Sequence, residues 1–418
     1  MTIKNDAVCV RRVDPESMAK SGYHGTLLWT PTMQSLLFSG TFYGGLITII
    51  PSGYLADRFG PKVLLTIAVL EYSILTILSP ILANNDFYAF FFSRVIMGFG
   101  EGFIHPSIAS LAARWFPASE RAAVANLYTS GIQLAGTIGG YASASLCSLE
   151  FLGGWPLIFY IFGVLGCLWC VVFMIDGSST PDENMWISDE EKEYILKALP
   201  KNSKRISLSS VPWRSLFTSK ALIVIYVAQF VFNCNVTIMQ SFLPAYFRDI
   251  LLLDLKSNGF FTVFPFITQL ICLPRNLQLR NGGFVGLGLF VNCKTALLAL
   301  VLLGFYGVCF SCSVTGLYIS QISVAPAYTG IIMSISLFFG MIANVLSALA
   351  FGVLNPYGSE SEWEQIFLIL VVLNVFSGVL FTLFGSVDQQ EWAVVKPQKN
   401  KIFNENLEVT NADESIQN

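Results

Sequence analysis

The stretch FYAFFFSRVIMGFGEGFIHPSIASLAA, residues 87–113, is long and apolar enough to cross a bilayer, yet it carries Arg94, Glu101 and His105. At about 100° per residue, seven positions return Glu101 to within roughly 20° of Arg94, and His105 lies about 40° further round. A cation, an acid and an imidazole therefore share one stripe of a single helix. Charges at that depth are costly, and membrane helices usually turn them toward a water-filled cavity, where they handle ions, protons or charged substrates. The alternative is a buried structural salt bridge, with the histidine capping a kink at Pro106.

The remainder of the chain has the same character. Its 418 residues are 54% hydrophobic and 12% charged, with mean hydropathy +0.62, where a soluble domain carries about 25% charged residues. Apolar runs near the ~20 residues that span hydrocarbon recur at 34–54, 62–82, 87–113, 121–146, 156–176, 220–246, 258–274, 277–293, 295–322, 328–354 and 364–386. The expectation is an all-α membrane protein of about eleven spans. The formal net charge of −3 says little when charges sit in loops, and no basic tract points to nucleic acid.

Orientation follows from the loops. Arg58, Lys62, Arg114, Arg121, Lys201, Lys204, Arg205, Arg214, Arg275, Arg280, Lys396 and Lys399 fall on one side; only Arg248, Lys256 and Lys294 fall on the other. The positive-inside rule makes the first side cytoplasmic. Eleven spans then place the N-terminus outside or in a lumen, although residues 1–23 lack the apolar core of a signal peptide.

One long break interrupts the pattern. After Asp176 come about 35 polar residues, including Ile187-Ser188-Asp189-Glu190-Glu191, which reads as a capping-box helix start ended by Pro200. The chain divides into a polar segment 1–27, a first bundle 28–176, a cytosolic linker 177–219 with a short amphipathic helix, a second bundle 220–390 and a polar, disordered tail 391–418. Two bundles joined by a linker suit a transporter whose halves rock around a midplane site.

The sharpest local pattern is Gly53-Tyr54-Leu55-Ala56-Asp57-Arg58-Phe59-Gly60-Pro61-Lys62. It resembles the loop between the second and third helices of major facilitator transporters. Its glycines permit a tight turn, and Asp57, Arg58 and Lys62 supply charges that can latch one face shut. Arg94 followed by Gly98, Gly100 and Gly102 resembles that superfamily's fourth helix; small residues there also let helices approach closely. Further anchors occur in order: Ile50-Pro51, Glu101 through Pro106, Arg114-Trp115-Phe116-Pro117, Gly154-Trp155-Pro156, Ile187 through Ile195, Pro212-Trp213, Leu243-Pro244-Ala245-Tyr246, Ala325-Pro326, Phe384-Gly385-Ser386 and Gln390-Glu391-Trp392. Over about 28–393 the chain resembles the anion:cation symporter family, the group of sialin, the sodium/phosphate cotransporters and the vesicular glutamate transporters.

That resemblance implies a major facilitator fold and secondary transport of organic anions or phosphate, driven by a cation gradient or by membrane potential, with Arg94 and Glu101 in the pathway. The expected partners are a small anionic solute, a co-transported proton or sodium ion and the bilayer, with the chain a monomer in a plasma, lysosomal or vesicular membrane. The family has twelve helices, and nothing upstream of residue 28 matches its first, which supplies a substrate-binding arginine. Its second acidic loop has no counterpart where Leu273-Pro274 runs into Arg275-Asn276. Phe38 and Phe232 stand where glutamate-type members carry histidine and arginine, which disfavours a glutamate-specific carrier. The alternative of a different class is a degenerate or truncated paralogue that does not transport.

Among the candidate site residues, Glu101 is the expected proton-sensing group, with His105 second; Arg94 is the anion's counter-charge or Glu101's partner in an empty site. Tyr43, Gln133, Asn233 and Asn235 are candidate polar cavity residues, with Gln240 and Tyr246 behind them, and Glu71 is either a further coupling group or the partner of a polar neighbour. Cys167/Cys170 and Cys309/Cys312 sit in apolar helices without further ligands, so small-residue packing is the reading rather than metal or redox chemistry. No catalytic constellation and no cofactor motif lies outside the spans, which excludes an enzyme.

Overall fold

Prolines and polar caps set where the helices begin. Pro31 opens α1 (Pro31–Phe59) behind Thr30, whose Oγ1 accepts from the Met33 N–H at 3.3 Å. Proline belongs in a first turn because its missing N–H has no partner there in any case. Pro61 likewise opens α2 (Pro61–Asn85). Asp86 caps α3 (Phe87–Trp115) by accepting from the Ala89 N–H at 3.0 Å. Between α1 and α2 the chain reverses at Gly60, whose φ of +88° and ψ of 131° are open only to glycine.

In this computed structural model the described residues are 27, 29–117, 120–149, 154–198, 211–272, 296–325, 328–386 and 388–393. The first half continues with α4 (Arg121–Cys147) and α5 (Trp155–Asp176). Next comes the linker helix α6 (Asp189–Ala198), where Ser188 Oγ accepts from the Glu191 N–H at 3.2 Å, and then α7 (Trp213–Thr218). The second half holds α8 (Lys220–Thr237), α9 (Leu243–Asp249), α10 (Leu255–Cys272), α11 (Ala296–Ser323), α12 (Thr329–Leu354) and α13 (Glu360–Phe384). Every expected span but one coincides with helix, and 277–293 lies outside the described residues. Among the described residues, seven helices are long and apolar enough to cross a membrane. Most run past the expected ends: 34–54 became a helix of 29 residues, about 43 Å at 1.5 Å per residue, because hydropathy marks only the part in hydrocarbon. A wide turn, Ile238–Phe242, joins α8 to α9. Pro244 follows it and cannot donate the N–H that a regular helix would direct back to residue 240.

Packing in the first half depends on glycine. A Cβ on Gly98 would strike the Thr41 carbonyl, one on Gly44 would strike the backbone at Val95, and one on Gly102 would strike Thr48. α1 and α3 therefore meet backbone to backbone, as small-residue seams permit. α2 packs on α3 and, through Ser73 and Ile77 against Gly163 and Gly166, on α5.

The halves meet through two helix pairs. α1 meets α12 where Ser35 lies against Gly352 and Met341 against Gly45; α4 meets α10 at Gly136–Phe266, Gly140–Val263 and Ala144–Gly259. Phe38 also packs edge-on against Phe242 at 5.1 Å. These contacts lie in the middle of the helices, as at Gly45 and Met341, or in the part remote from the 57–62 loop. Toward that loop, Gly53, Gly131 and Gly330 have no neighbour within 4 Å of a Cβ position. Among the described residues the halves are joined in the middle and at one end, and parted on the side that bears the linker. There Lys62 Nζ donates to the Met174 carbonyl at 2.8 Å and Trp115 Nε1 to the Ser178 carbonyl at 3.2 Å. Tyr194 OH donates to Glu120 Oε1 at 3.1 Å, and that bond raises the exposed phenol's pKa above its ordinary value.

Gly98→Val is expected to destabilise the fold by about 1–3 kcal/mol through overpacking against Thr41, read as a lower unfolding temperature in detergent. Gly53→Val, which meets open space, should stay within about 0.5 kcal/mol of the parent.

Candidate functional site

The charged stripe of α3 does not close on itself. Arg94 and Glu101 are two turns apart, about 10 Å along the axis, and helical side chains lean toward the N-terminus. Arg94 accordingly points away from Glu101, its guanidinium carbon 5.0 Å from the Phe90 ring centre and 6.0 Å from that of Phe159 on α5. Among the described residues no carboxylate forms an ion pair with it. The expectation that Glu101 partners Arg94 in an empty site is thus not met in this conformation. Ring faces shelter a cation at about 0.5–2 kcal/mol without neutralising it.

Glu101 and Arg94 are both half-buried. Two residues of α2 join them. Glu71 lies against Gly100, where a Cβ would collide with its carboxyl oxygen, and Tyr72 is within electrostatic range of Arg94, Glu101 and Glu71 together. The acid of α2 and the acid of α3 therefore approach the same part of the helix interface. His105 lies one turn beyond Glu101; its Nδ1 shares a 2.6 Å hydrogen bond with the Tyr128 hydroxyl of α4, the rings edge to face at 5.9 Å.

The other candidates are not assembled around Arg94. Tyr43 packs edge-on against Phe91 at 6.4 Å. Gln133 is buried in α4 with its Oε1 unpartnered. Asn233 donates to the Gln229 carbonyl at 2.9 Å and lies against Gly340. Asn235 is committed to Asn374 of α13: the two amides exchange hydrogen bonds of 3.2 and 2.9 Å, and each also donates to its own helix at 2.7 Å. Gln240 lines a narrow cleft with Gln269 and Tyr306, and Tyr246 belongs to the buried aromatic cluster around Trp363 and Phe367.

In the loop, Gly53 is exposed and Gly60 makes the turn. Arg58 donates to Tyr54 OH of its own helix at 3.2 Å, and Lys62 is held by the end of α5. The Asp57 side chain lies outside the described residues. Cys170 donates through sulfur to the Thr66 carbonyl at 3.8 Å and is buried, while the Cys309 and Cys312 side chains lie outside the described residues. Sequence reasoning missed Tyr72, Tyr128 and Asn374. Tyr72 directly follows a mid-span acid and could have been suspected; nothing local marks the other two.

A family model described as the Major Facilitator Superfamily matches residues 16–277. A nematode relative, "Uncharacterized transporter slc-17.3" of Caenorhabditis elegans, is 32% identical over 413 residues, covering 92% of this chain and 77% of its own. The chain belongs to the Major Facilitator Superfamily. Sialin of Homo sapiens is 29% identical over 390 residues, 88% of this chain and 78% of its own. Sodium-dependent phosphate transport protein 3 of Mus musculus is 30% identical over 398 residues, 87% and 80%. These place the chain in the anion:cation symporter group, an integral multi-pass membrane transporter and not an enzyme. Among solved structures, a D-xylose-proton symporter superposes with TM-score 0.67 at 16% identity over 85% of this chain and 88% of its own. A bacterial homolog of the human lysosomal transporter Spinster gives 0.66 at 14%, over 88% and 91%. Both show the fold.

Asn235→Leu is expected to cost about 1–2 kcal/mol by stranding Asn374, and Asn374→Leu a similar amount. The double variant should cost less than their sum in a thermal-unfolding cycle. Strict additivity would dissolve the pair and return Asn235 to the list of solute contacts.

Proposed function

We propose that this chain carries an organic anion or phosphate by alternating access, with Arg94 as the anion's counter-charge and Glu101 as the group that couples transport to protons. The observation that supports this most is Arg94 itself: a guanidinium within a membrane span, cradled by two aromatic rings, with no carboxylate paired to it among the described residues. A cation left uncompensated at that depth is stabilised by an arriving anion, and a planar guanidinium suits carboxylate and phosphate alike. The relatives' names point to the same solutes, sialin for an organic acid and the phosphate transport proteins for phosphate.

In this reading the parted end faces the cytosol, as the loop charges predict, and the structure is the inward-open state of a monomer. Closure would bring the loop at Gly53, Asp57, Arg58, Gly60 and Lys62 toward the second half. Glu101 gives the pathway a proton that can move with the anion; sodium or membrane potential is the competing driving force. His105, bonded to Tyr128, would tune that proton rather than carry it, and Tyr43, Gln133 and Asn233 are left as polar contacts along the pathway.

Proteoliposomes holding the full chain should take up labelled phosphate or sialic acid when a pH gradient is imposed. Glu101→Gln should abolish the dependence on that gradient while leaving solute exchange. Sodium-driven uptake indifferent to Glu101→Gln would replace the proton by sodium. Arg94→Lys should raise KM about tenfold or more, the loss of a charge-assisted bond of about 1.5–3 kcal/mol; an unchanged KM would remove Arg94 from the binding site.

A further inference from the structure

The proposed pathway leaves one intramembrane acid unused. Glu71 sits mid-way along α2, half-buried, and its Oε1 is fully buried without a hydrogen-bond partner among the described residues. Its other carboxyl oxygen lies where a Cβ on Gly100 would be, beside the Ala68 carbonyl. The glycine therefore lets the carboxyl reach the α3 backbone next to Glu101. An ionised carboxylate with an orphaned, buried oxygen in a membrane span is costly. A neutral carboxylic acid in the same place is not.

The surrounding charges lead the same way. α3 presents Arg94, Glu101 and His105 to this region, and α5 carries Tyr160, Cys167, Cys170 and, as its last residue, Asp176, with Cys170 bonded to the Thr66 carbonyl. At this depth α1 contributes Tyr43, which is turned to Phe91. Tyr72 is in electrostatic range of Arg94, Glu101 and Glu71 at once. Arg94 is turned to the rings of Phe90 and Phe159 and pairs with neither acid among the described residues, so no positive charge there compensates an ionised Glu71.

We infer that Glu71 is a second proton-binding site of this pathway, a carboxylic acid that holds its proton in the conformation parted on the linker side. It rests on the proposed transport reading for its role, though not for its protonation. When an anion occupies Arg94, the guanidinium is neutralised and both carboxyls hold protons. When the anion leaves, one proton can leave with it.

Infrared spectra of the purified full chain in liposomes test the protonation without any solute. A protonated-carboxyl stretch is expected at neutral pH, lost in Glu71→Gln and retained in Glu101→Gln. Should Glu71→Gln fail to assemble, Glu71→Asp decides: the band must shift, since the acid changes its length and surroundings. A band absent from the wild type, or untouched by both substitutions at position 71, overturns the assignment. Uptake of labelled phosphate or sialic acid tests the role: Glu71→Gln should make the pH profile of uptake shallower than that of the wild type. A profile identical to wild type overturns the role. A chain that shows the band yet takes up nothing would count against the transport reading alone.

Discussion

Hydrocarbon cannot hydrate a charge, and the arrangement of this molecule follows from how it meets that constraint. Ionisable side chains are nearly excluded from the spans, and those that remain are gathered where α2 and α3 touch. Each is accommodated differently: Arg94 by aromatic faces, Glu101 by half-burial beside Gly100, Glu71 by the glycine gap, His105 by a tyrosine from the next helix. None of these is neutralised by a fixed ion pair among the described residues. That is what leaves the group responsive to an incoming anion or a proton, where a satisfied salt bridge would be inert.

Close approach of α1 to α3 is the mechanical counterpart. Backbone contact at Gly44 and Gly98 makes those helices move as one body, and the second half is tied by side-chain hydrogen bonds: the reciprocal amides of Asn235 and Asn374, Thr237 Oγ1 donating to Asn344 Oδ1 at 2.9 Å, and Gln321 Nε2 donating to Gln229 Oε1 at 3.1 Å. Among the described residues the contacts between the halves are of another kind, small residues, a methionine and aromatic rings in the middle and at one end of the helices. Rigid units meeting over a small apolar seam can separate at that seam without losing internal hydrogen bonds. Alternating access requires such a division of stiffness.

The early part of the linker is attached to the first half through Lys62, Trp115 and Glu120, while Val211 and Leu216 at its other end pack into the core of the second half. The linker therefore ties the two halves together, and the charged loop beside its first part is carried toward the second half when the open end closes. In the parted state Arg58 rests on its own helix and Lys62 on α5, so neither bridges the gap.

Much of this was legible in the sequence. Hydropathy runs located the spans, because twenty apolar residues have few other uses. Ser188 and Glu191 announced the linker helix, Gly60 the reversal, and the spacing of Arg94, Glu101 and His105 their common face, all from interactions within a few residues. The remainder depended on which helices become neighbours. Arg94 turned to Phe159 rather than to Glu101, and Asn235 was taken by an amide 139 residues away. Glu71 and Tyr72 gained their meaning only from the Gly100 surface opposite. By itself the sequence determined where helices form and which carry charge, since period and polarity are local properties. Only the tertiary structure decided which charge meets which partner and which end of the molecule stands open, because those depend on distances between helices that no single helix encodes.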